Sequence, residues 1–410
     1  MHSPHKILFV TYGLPYPPDR GAPIRDFNLI RRIAAHFPVR VLSLVQAPPS
    51  GSNIQALRMF CQEVDWVVDN PGNTVRTLWQ MLHALGQGRP LATASFHHPA
   101  LAAKIREICT SDAIALVQIE HSFLAPYVRA IPSDRGIKRV LSFHNIGGWQ
   151  YRTMLRMAVP LHEKLLYGAK WLLMQRWEGR WATRFDHALV VSERERTTLH
   201  DSAPSLPSTV IDNGVDTSLY RPAPQASGSH QLLFVGNLHY RPNLDAVVYF
   251  RDEILPLVQA QIPDVRLLVV GDCPREKVQG LAGPAIQLAG HVVSVLPAYE
   301  ESALCVVPLR AGGGTRLKIL EAMALGRPVV STSTGCEGLA VSHGEHLLIG
   351  DTPQEFAYHV VALLRNPTRA QQLARQARAL AEDRYSWDAI AEKLLSLYEQ
   401  MLGKTRGLDL

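Results

Sequence analysis

The apolar positions of this chain come in short runs rich in β-branched residues. Each run is followed by a polar or glycine-bearing turn and then by a stretch with helical spacing. That alternation marks parallel strands joined by crossover helices, because strands covered on both faces carry few polar positions. The pattern predicts strands at 6–11, 39–44, 63–68, 115–120, 139–143 and 187–191, with helices over 24–36, 99–110 and 153–182. A second series predicts strands at 209–211, 231–235, 266–271, 286–288, 302–307, 328–331 and 346–349. Helices over 244–261, 276–280, 296–301, 317–325 and 353–364 fill the intervals, and one over 388–401 ends the pattern. The α/β alternation therefore starts twice, with an Asp/Ser/Pro-rich join at 201–207 and a second loop at 222–230. The expected fold class is α/β, with two doubly wound Rossmann-like domains facing across a cleft. The first spans 1–205 and the second 206–387, and the terminal helix, 388–410, is a candidate to pack back onto the first.

Length and composition agree with that picture. A chain of 410 residues has material for two sizeable cores. With 47% apolar and 19% charged residues it is globular rather than disordered. The net charge of +6 leans toward anionic partners such as phosphates or a membrane surface, without making a case for nucleic acid. Five cysteines lie far apart with no Cys-x-x-Cys, which argues against a disulfide framework and for a reducing cytosol. No apolar run reaches the roughly 18 residues of a spanning helix, and the first residues lack a signal peptide's apolar stretch. The expectation is a cytoplasmic protein, with peripheral attachment to the inner membrane face as a candidate.

In doubly wound sheets ligands sit off the carboxyl ends of the strands, so the loops there are where chemistry is sought. One such loop runs Pro308-Leu309-Arg310-Ala311-Gly312-Gly313-Gly314-Thr315-Arg316 and opens an amphipathic helix carrying Lys318 and Glu321. Its glycines let the backbone approach a ligand, and N–H groups at the helix start can hold a phosphate. Arg310, Arg316 and Lys318 add positive charge. Glu321, about two turns in, is placed for hydroxyls farther along a nucleotide-like ligand. The loop after 231–235 offers Gly236 and Arg241, with Asn243 as a helix cap. Gly271-Asp272-Cys273-Pro274 is expected to help wall the same pocket. In the first half, the loop after 6–11 leads to Gly21-Ala22 and Arg25, at a helix expected to start near Pro23. Glu120-His121-Ser122 and Ser142-Phe143-His144-Asn145 follow neighbouring strands. No GxxxxGK[ST], no GxGxxG after a strand, no Asp-x-Asp and no HExxH occurs, and His97-His98 are adjacent rather than helix-spaced. P-loop, NAD-dependent and metal-catalysed readings have no visible site.

Several of these stretches, in order along nearly the whole chain, resemble the retaining glycosyltransferases of family 4, which have the GT-B fold. Gly312 to Thr332 is similar to the family's donor loop and helix. Val210 to Asp216 resembles its interdomain "NGVD" segment, with Arg221-Pro222 after it. Phe185 to Glu193 resembles the last strand of the acceptor domain, and Phe234 to Leu238 the "GRL" strand. The resemblance implies a nucleotide-sugar donor held by the second domain and an acceptor by the first, retention of configuration, and neither metal nor other cofactor. It assigns donor binding to Gly21, Arg25, Gly236, Arg241, Gly313, Gly314, Thr315, Arg316, Lys318 and Glu321. Glu120, His121 and His144 become the catalytic candidates, with Glu120 and His121 both matching one family position. The chain departs from the family where the first glutamate of Glu-x7-Glu falls on Gly313 and the arginine of "GRL" on Asn237. The expected function is transfer of a hexose from a nucleotide-diphosphate sugar to a glycan, lipid-linked or small-molecule acceptor in polysaccharide or glycoconjugate assembly. A catalytically silent nucleotide-sugar-binding scaffold of the same fold is the alternative, and a nonhydrolysing epimerase is a third reading. Trp149 to Phe185 mixes tryptophans with Arg and Lys, which suits either an anionic membrane surface or a helix pair with inward aromatics.

Overall fold

The computed structural model describes residues 5–19, 21–69, 90–96, 98–155, 160–222, 229–273, 278, 280–314 and 316–403. Most of the expected helix 276–280, most of the loop 222–230, and His97, Pro274, Thr315 and 404–410 lie outside them. The chain divides into two compact units, residues 1–212 with 390–410, and residues 213–389.

Unit 1 opens β1 (Lys6–Tyr12), α1 (Gly21–Ile33), β2 (Val39–Val45), α2 (Gly51–Arg58) and β3 (Glu63–Val68). After a 3-10 turn at Leu91–Phe96 come α3 (Pro99–Ser111), β4 (Ile114–Glu120) and a second 3-10 segment at Ser122–Ala130. It continues with β5 (Lys138–Ser142), α4 (Gly147–Met154), α5 (Leu161–Ala182), β6 (His187–Val190), α6 (Glu193–Ser202) and β7 (Ser208–Val210). The seven strands order as β3-β2-β1-β4-β5-β6-β7, every pair parallel. The strand order reverses between β1 and β4, where Val10 pairs with Ile119. That switch point sets the loop after Tyr12 beside the loop after Glu120 and defines where a ligand can sit.

Unit 2 contains β8 (Gln231–Val235), α7 (Arg241–Tyr249), a π turn at Phe250–Ile254, α8 (Leu255–Gln259), β9 (Arg266–Val270), β10 (Ile286–Gly290), α9 (Leu296–Glu301) and β11 (Leu304–Val307). There follow α10 (Leu317–Ala324), β12 (Val329–Ser331), β13 (Leu348–Ile349), α11 (Pro353–Arg365) and α12 (Pro367–Arg384). Its sheet orders as β10-β9-β8-β11-β12-β13, again parallel. The switch point lies between β8 and β11, whose carboxyl ends carry the Gly236 loop and the triple-glycine loop. The central strands are buried along their lengths, as continuous apolar runs require.

A last helix, α13 (Trp387–Met401), buries Ile390, Leu394, Leu395 and Tyr398. Its Tyr398 hydroxyl donates to the Gln118 side chain of β4, and Lys393 pairs with Asp212 at 3.1 Å. All four of these residues belong to unit 1.

Four expectations shift. The strand expected at 209–211, read as opening the second series, is β7 (Ser208–Val210) and closes the first sheet, because Leu189 pairs with Thr209. The helix expected near Pro23 begins at Gly21, since proline is tolerated in a first turn. The single helix over 153–182 is two, α4 and α5, with Pro160 capping the second. Asn243 does not cap α7, which starts two residues earlier after Tyr240. The five cysteines are free. No helix among the described residues is long and apolar enough to cross a membrane. Trp177 and Trp181 of α5 are buried, and Arg152 and Arg194 lie over the Trp149 ring at 5.0 and 3.9 Å. The aromatics therefore pack inward. Five large apolar side chains of α5, Leu161, Leu165, Leu166, Leu172 and Leu173, are instead exposed.

Candidate functional site

At the unit 1 switch point, β4 delivers Glu120, β5 leads to His144 and α1 brings Asp26. His144 Nε2 sits 2.9 Å from Glu120 Oε2 and 3.2 Å from Asp26 Oδ1, with both carboxylates buried. Burial alone would drive the imidazole toward its neutral form, but the two carboxylates outweigh it and raise His144 to about 9. Burial pushes Asp26 up to about 6. Burial also works against the Glu120 carboxylate, but hydrogen bonds from His144 and Gln118 hold it below its usual range. The three groups form one ionised cluster at neutral pH. His121 behaves oppositely: burial and the neighbouring His144 charge push it well below its ordinary value. Its backbone adopts φ 72°, a left-handed conformation uncommon outside glycine and found at functional sites. That turn lays its ring on His144 with centroids 3.8 Å apart.

Asp26, His121 and His144 also present ligand atoms within 4.8 Å of one another, a grouping that could hold a cation. Nothing in the linear sequence points to it, because Asp26 sits on a helix remote in sequence from both histidines.

Two further carboxylates, absent from the sequence reading, brace these loops. Glu178 of α5 accepts from Ser122 Oγ at 2.8 Å, from Gly147 N at 3.0 Å and from Gly148 N at 3.0 Å. It thereby joins the loop carrying His121 to the one following His144. Glu195 accepts from the Ile146 and Val191 amides. Burial pushes both up to about 7. Only the buried end of an otherwise exposed helix distinguishes Glu178, and a lone sequence does not show that.

Arg25 was expected to bind the donor, but it is 1% exposed and donates to the carbonyls of Ile211 and Asp212 at 2.9 and 2.8 Å. It anchors α1 to the end of the unit rather than presenting its charge to a ligand. Gly21 lines a cavity of about 670 Å³ on unit 1, together with Tyr12 and His121.

In unit 2, Lys318 Nζ lies 3.2 Å from Asn243 Oδ1 and 4.0 Å over the Phe234 ring. Burial and the neighbouring Arg316 lower Lys318 to about 7. Gly236 faces it so closely that a Cβ there would stand 2.8 Å from Nζ and 2.8 Å from Asn243 Nδ2. Arg316 is buried and donates to the Gly313 carbonyl at 2.6 Å, stiffening the glycine turn from inside. Gly314 has φ 78° with open space beyond it, so the loop presents bare backbone. Glu321 Oε2 accepts from the Tyr299 hydroxyl at 3.0 Å, and burial raises its pKa. Arg241 is exposed in the first turn of α7, and Thr315 lies outside the described residues. Arg310, expected to add charge to the glycine loop, turns away to Asp245 at 2.7 and 3.0 Å. Gly236, Asn243, Gly313, Gly314, Arg316 and Lys318 thus form one cationic, glycine-lined corner at the β8/β11 switch point.

Two parallel α/β units, each with such a loop cluster at its switch point, are the architecture of the GT-B fold. Residues 229–366 match the family of Glycosyl transferases group 1, and residues 54–219 match Glycosyltransferase Family 4. The chain belongs to the group 1 glycosyltransferases. It is 30% identical over 201 residues to a phosphatidyl-myo-inositol mannosyltransferase of Mycobacterium leprae, covering 46% of this chain and 52% of that one. The chain spans about half the length of the curated relatives it matches. Among solved structures it resembles sucrose-phosphate synthase from Thermosynechococcus elongatus, with TM-score 0.71, 18% identity, 97% of this chain and 99% of that one. It also resembles Anabaena HepE in complex with UDP-glucose, with TM-score 0.65, 18% identity, 96% of this chain and 99% of that one.

Proposed function

We propose that this chain is a retaining, metal-independent hexosyltransferase that moves a hexose from a nucleotide-diphosphate sugar to a glycan, lipid-linked or small-molecule acceptor. The observation that carries this reading is the corner of unit 2 where Lys318, Gly313, Gly314, Arg316 and the start of α10 converge. Breaking the sugar–phosphate bond leaves the electron pair on the diphosphate. A cation and oriented N–H groups are what stabilise that charge. The acceptor oxygen bonds to the anomeric carbon, and its proton passes to the departing phosphate. Glu321 is assigned to donor hydroxyls, and Gly21 at the start of α1 to the diphosphate. In unit 1, His144 with Glu120 and Asp26 is assigned to positioning charge near the reacting sugar, and neutral His121 to hydrogen bonding there.

HepE was solved with UDP-glucose, which makes UDP the first donor base to test here. Thermal stabilisation by UDP, GDP, ADP, dTDP and CMP, with and without EDTA, tests the reading. A ligand at 100 times its dissociation constant adds about 2.7 kcal/mol. A shift with one diphosphate that EDTA leaves unchanged is expected, followed by a product of unchanged anomeric configuration by NMR. A shift abolished by EDTA removes metal independence. The Asp26, His121 and His144 grouping is where that ion would be sought.

A second reading, a catalytically silent nucleotide-sugar-binding scaffold, is favoured by one observation, glycine at position 313. It predicts nucleotide binding with neither transfer nor hydrolysis. Peripheral membrane attachment is a further part of the proposal. It rests on the exposed leucines of α5 beside Lys164, Lys170 and Arg176. Sedimentation with anionic liposomes at low salt tests it, and a protein left in the supernatant rules it out.

A further inference from the structure

Two polar side chains interrupt the apolar run of β4, and they share one face of the sheet because they stand two residues apart. Gln118 is fully buried and Glu120 is 1% exposed. Val117 and Ile119, on the other face, join the apolar core. A buried amide costs free energy unless it is hydrogen-bonded, and a leucine in its place would carry no such cost. Gln118 is bonded at both ends. Its Nε2 donates to Glu120 Oε1, and its Oε1 accepts from the Tyr398 hydroxyl of α13. Beyond Glu120 lies His144, whose Nε2 is 2.9 Å from Oε2.

The carboxylate fixes the sense of this series. An ionised Glu120 only accepts, so the amide turns its Nε2 toward it and its Oε1 away. The Tyr398 hydroxyl must then donate. Glu120 receives one hydrogen from Gln118 and one from the His144 ring. The other groups facing that ring do not direct it in this way. Asp26 Oδ1, on α1 at 3.2 Å, attracts it as a charge outside hydrogen-bonding geometry, and His121 lies flat against it. The direction of the imidazole therefore rests on Glu120, and that of Glu120 on Gln118 and Tyr398.

We propose that Gln118 and Tyr398 are positioning residues of the candidate active site: through Glu120 they hold the His144 imidazole in its direction, and the hydroxyl that closes the series comes from the last helix, 280 residues after Gln118. Both are fully buried, so they act on the site only through the carboxylate. The proposal rests on the glycosyltransferase reading, which places Glu120 and His144 near the reacting sugar, and deepens it by naming what holds them there.

The proton on His144 Nε2 reads this directly, by NMR of isotope-labelled histidine rings in the ligand-free full chain. The wild type should show a downfield, slowly exchanging ring proton that His144→Gln removes. Tyr398→Phe deletes one oxygen and keeps the ring that meets Phe37 edge-on at 6.2 Å, so it should fold. It should speed exchange of that proton about tenfold, the weight of one hydrogen bond. Gln118→Met, apolar and of similar length, should do the same. Lys393→Met breaks another contact of the same helix, the pair with Asp212, and should leave the proton unchanged. An unchanged proton in Tyr398→Phe overturns the proposal, as does its absence from the wild type. So does equal acceleration of the β1 and β2 amides, which marks general loosening of the unit. An equal effect of Lys393→Met overturns it too, since helix docking alone would then be the cause. The thermal shift with nucleotide, assigned to unit 2, should be the same in wild type and Tyr398→Phe. Its absence from the wild type with every base counts against the transferase reading, while the ring proton, measured without nucleotide, still decides what holds His144.

Discussion

His144 is a cation because two buried carboxylates hold it so, and that fixes how unit 1 responds to pH. Its folded pKa of about 9 stands above the roughly 6.5 of an unfolded histidine. The stabilisation is therefore complete below about 6.5 and is lost as pH climbs through 9. Asp26, raised to about 6, withdraws one partner at the acid end. His144→Gln leaves two carboxylates buried without their cation and should cost about 3 kcal/mol near pH 7. Denaturant melts at pH 7 and pH 10 check this, and an equal loss at both removes the ion cluster as its cause. Lys318 supplies the mirror case in unit 2. With its pKa lowered to about 7, it is only partly charged in the free protein near neutrality. A bound diphosphate favours the charged form, so binding should take up a proton between pH 7 and 8.5 and weaken as pH rises. Calorimetry in buffers of different ionisation enthalpy measures the uptake, and Lys318→Met should abolish it.

At this scale the sequence pointed to Glu120, His121 and His144 at strand ends, and to Lys318 and Glu321 on the helix that the glycine loop opens. It missed Asp26 and Glu178, whose roles come from burial, and it misjudged Arg25. An arginine beside a glycine turn reads the same whether its charge meets a ligand or a carbonyl.

Among the elements, α5 braces the site through one side chain. Glu178 gathers three hydrogen bonds from two loops, the one bearing His121–Ser122 and the one bearing Gly147–Gly148. In Glu178→Gln the Nε2 group donates, so one of those N–H groups meets another donor. The expected cost is about 1–3 kcal/mol. Amide exchange around 121–123 and 145–149 should accelerate while the β8–β11 region of unit 2 stays protected. Unchanged exchange at those loops removes the bracing role. The strands were legible because parallel strands are nearly uniform apolar runs. The helices α2, α6 and α12 were not, since short or strongly polar helices lack a wide apolar stripe. β7 was misassigned because three residues carry no sign of which sheet they join.

Over the whole molecule, the chain passes from unit 1 to unit 2 at residues 212–213 and returns at 389–390. The returning part of α13 supplies unit 1 with buried Ile390, Leu394 and Leu395, the Tyr398 hydroxyl for Gln118, and Lys393 for Asp212. A chain ending at residue 389 should lose the calorimetric transition of unit 1 and keep that of unit 2. Two intact transitions would show the returning helix to be dispensable.

That second crossing also bears on the order in which the protein is made. The first two hundred residues leave the ribosome without the helix that brings Ile390, Leu394, Leu395 and Tyr398 to unit 1, and that helix is translated only after all of unit 2. At about 5–20 residues per second, that leaves unit 1 incomplete for roughly 10–40 s. The unit synthesised first is thus completed last, and the surface that the buried residues of this helix later meet is where a chaperone would find the chain during that interval.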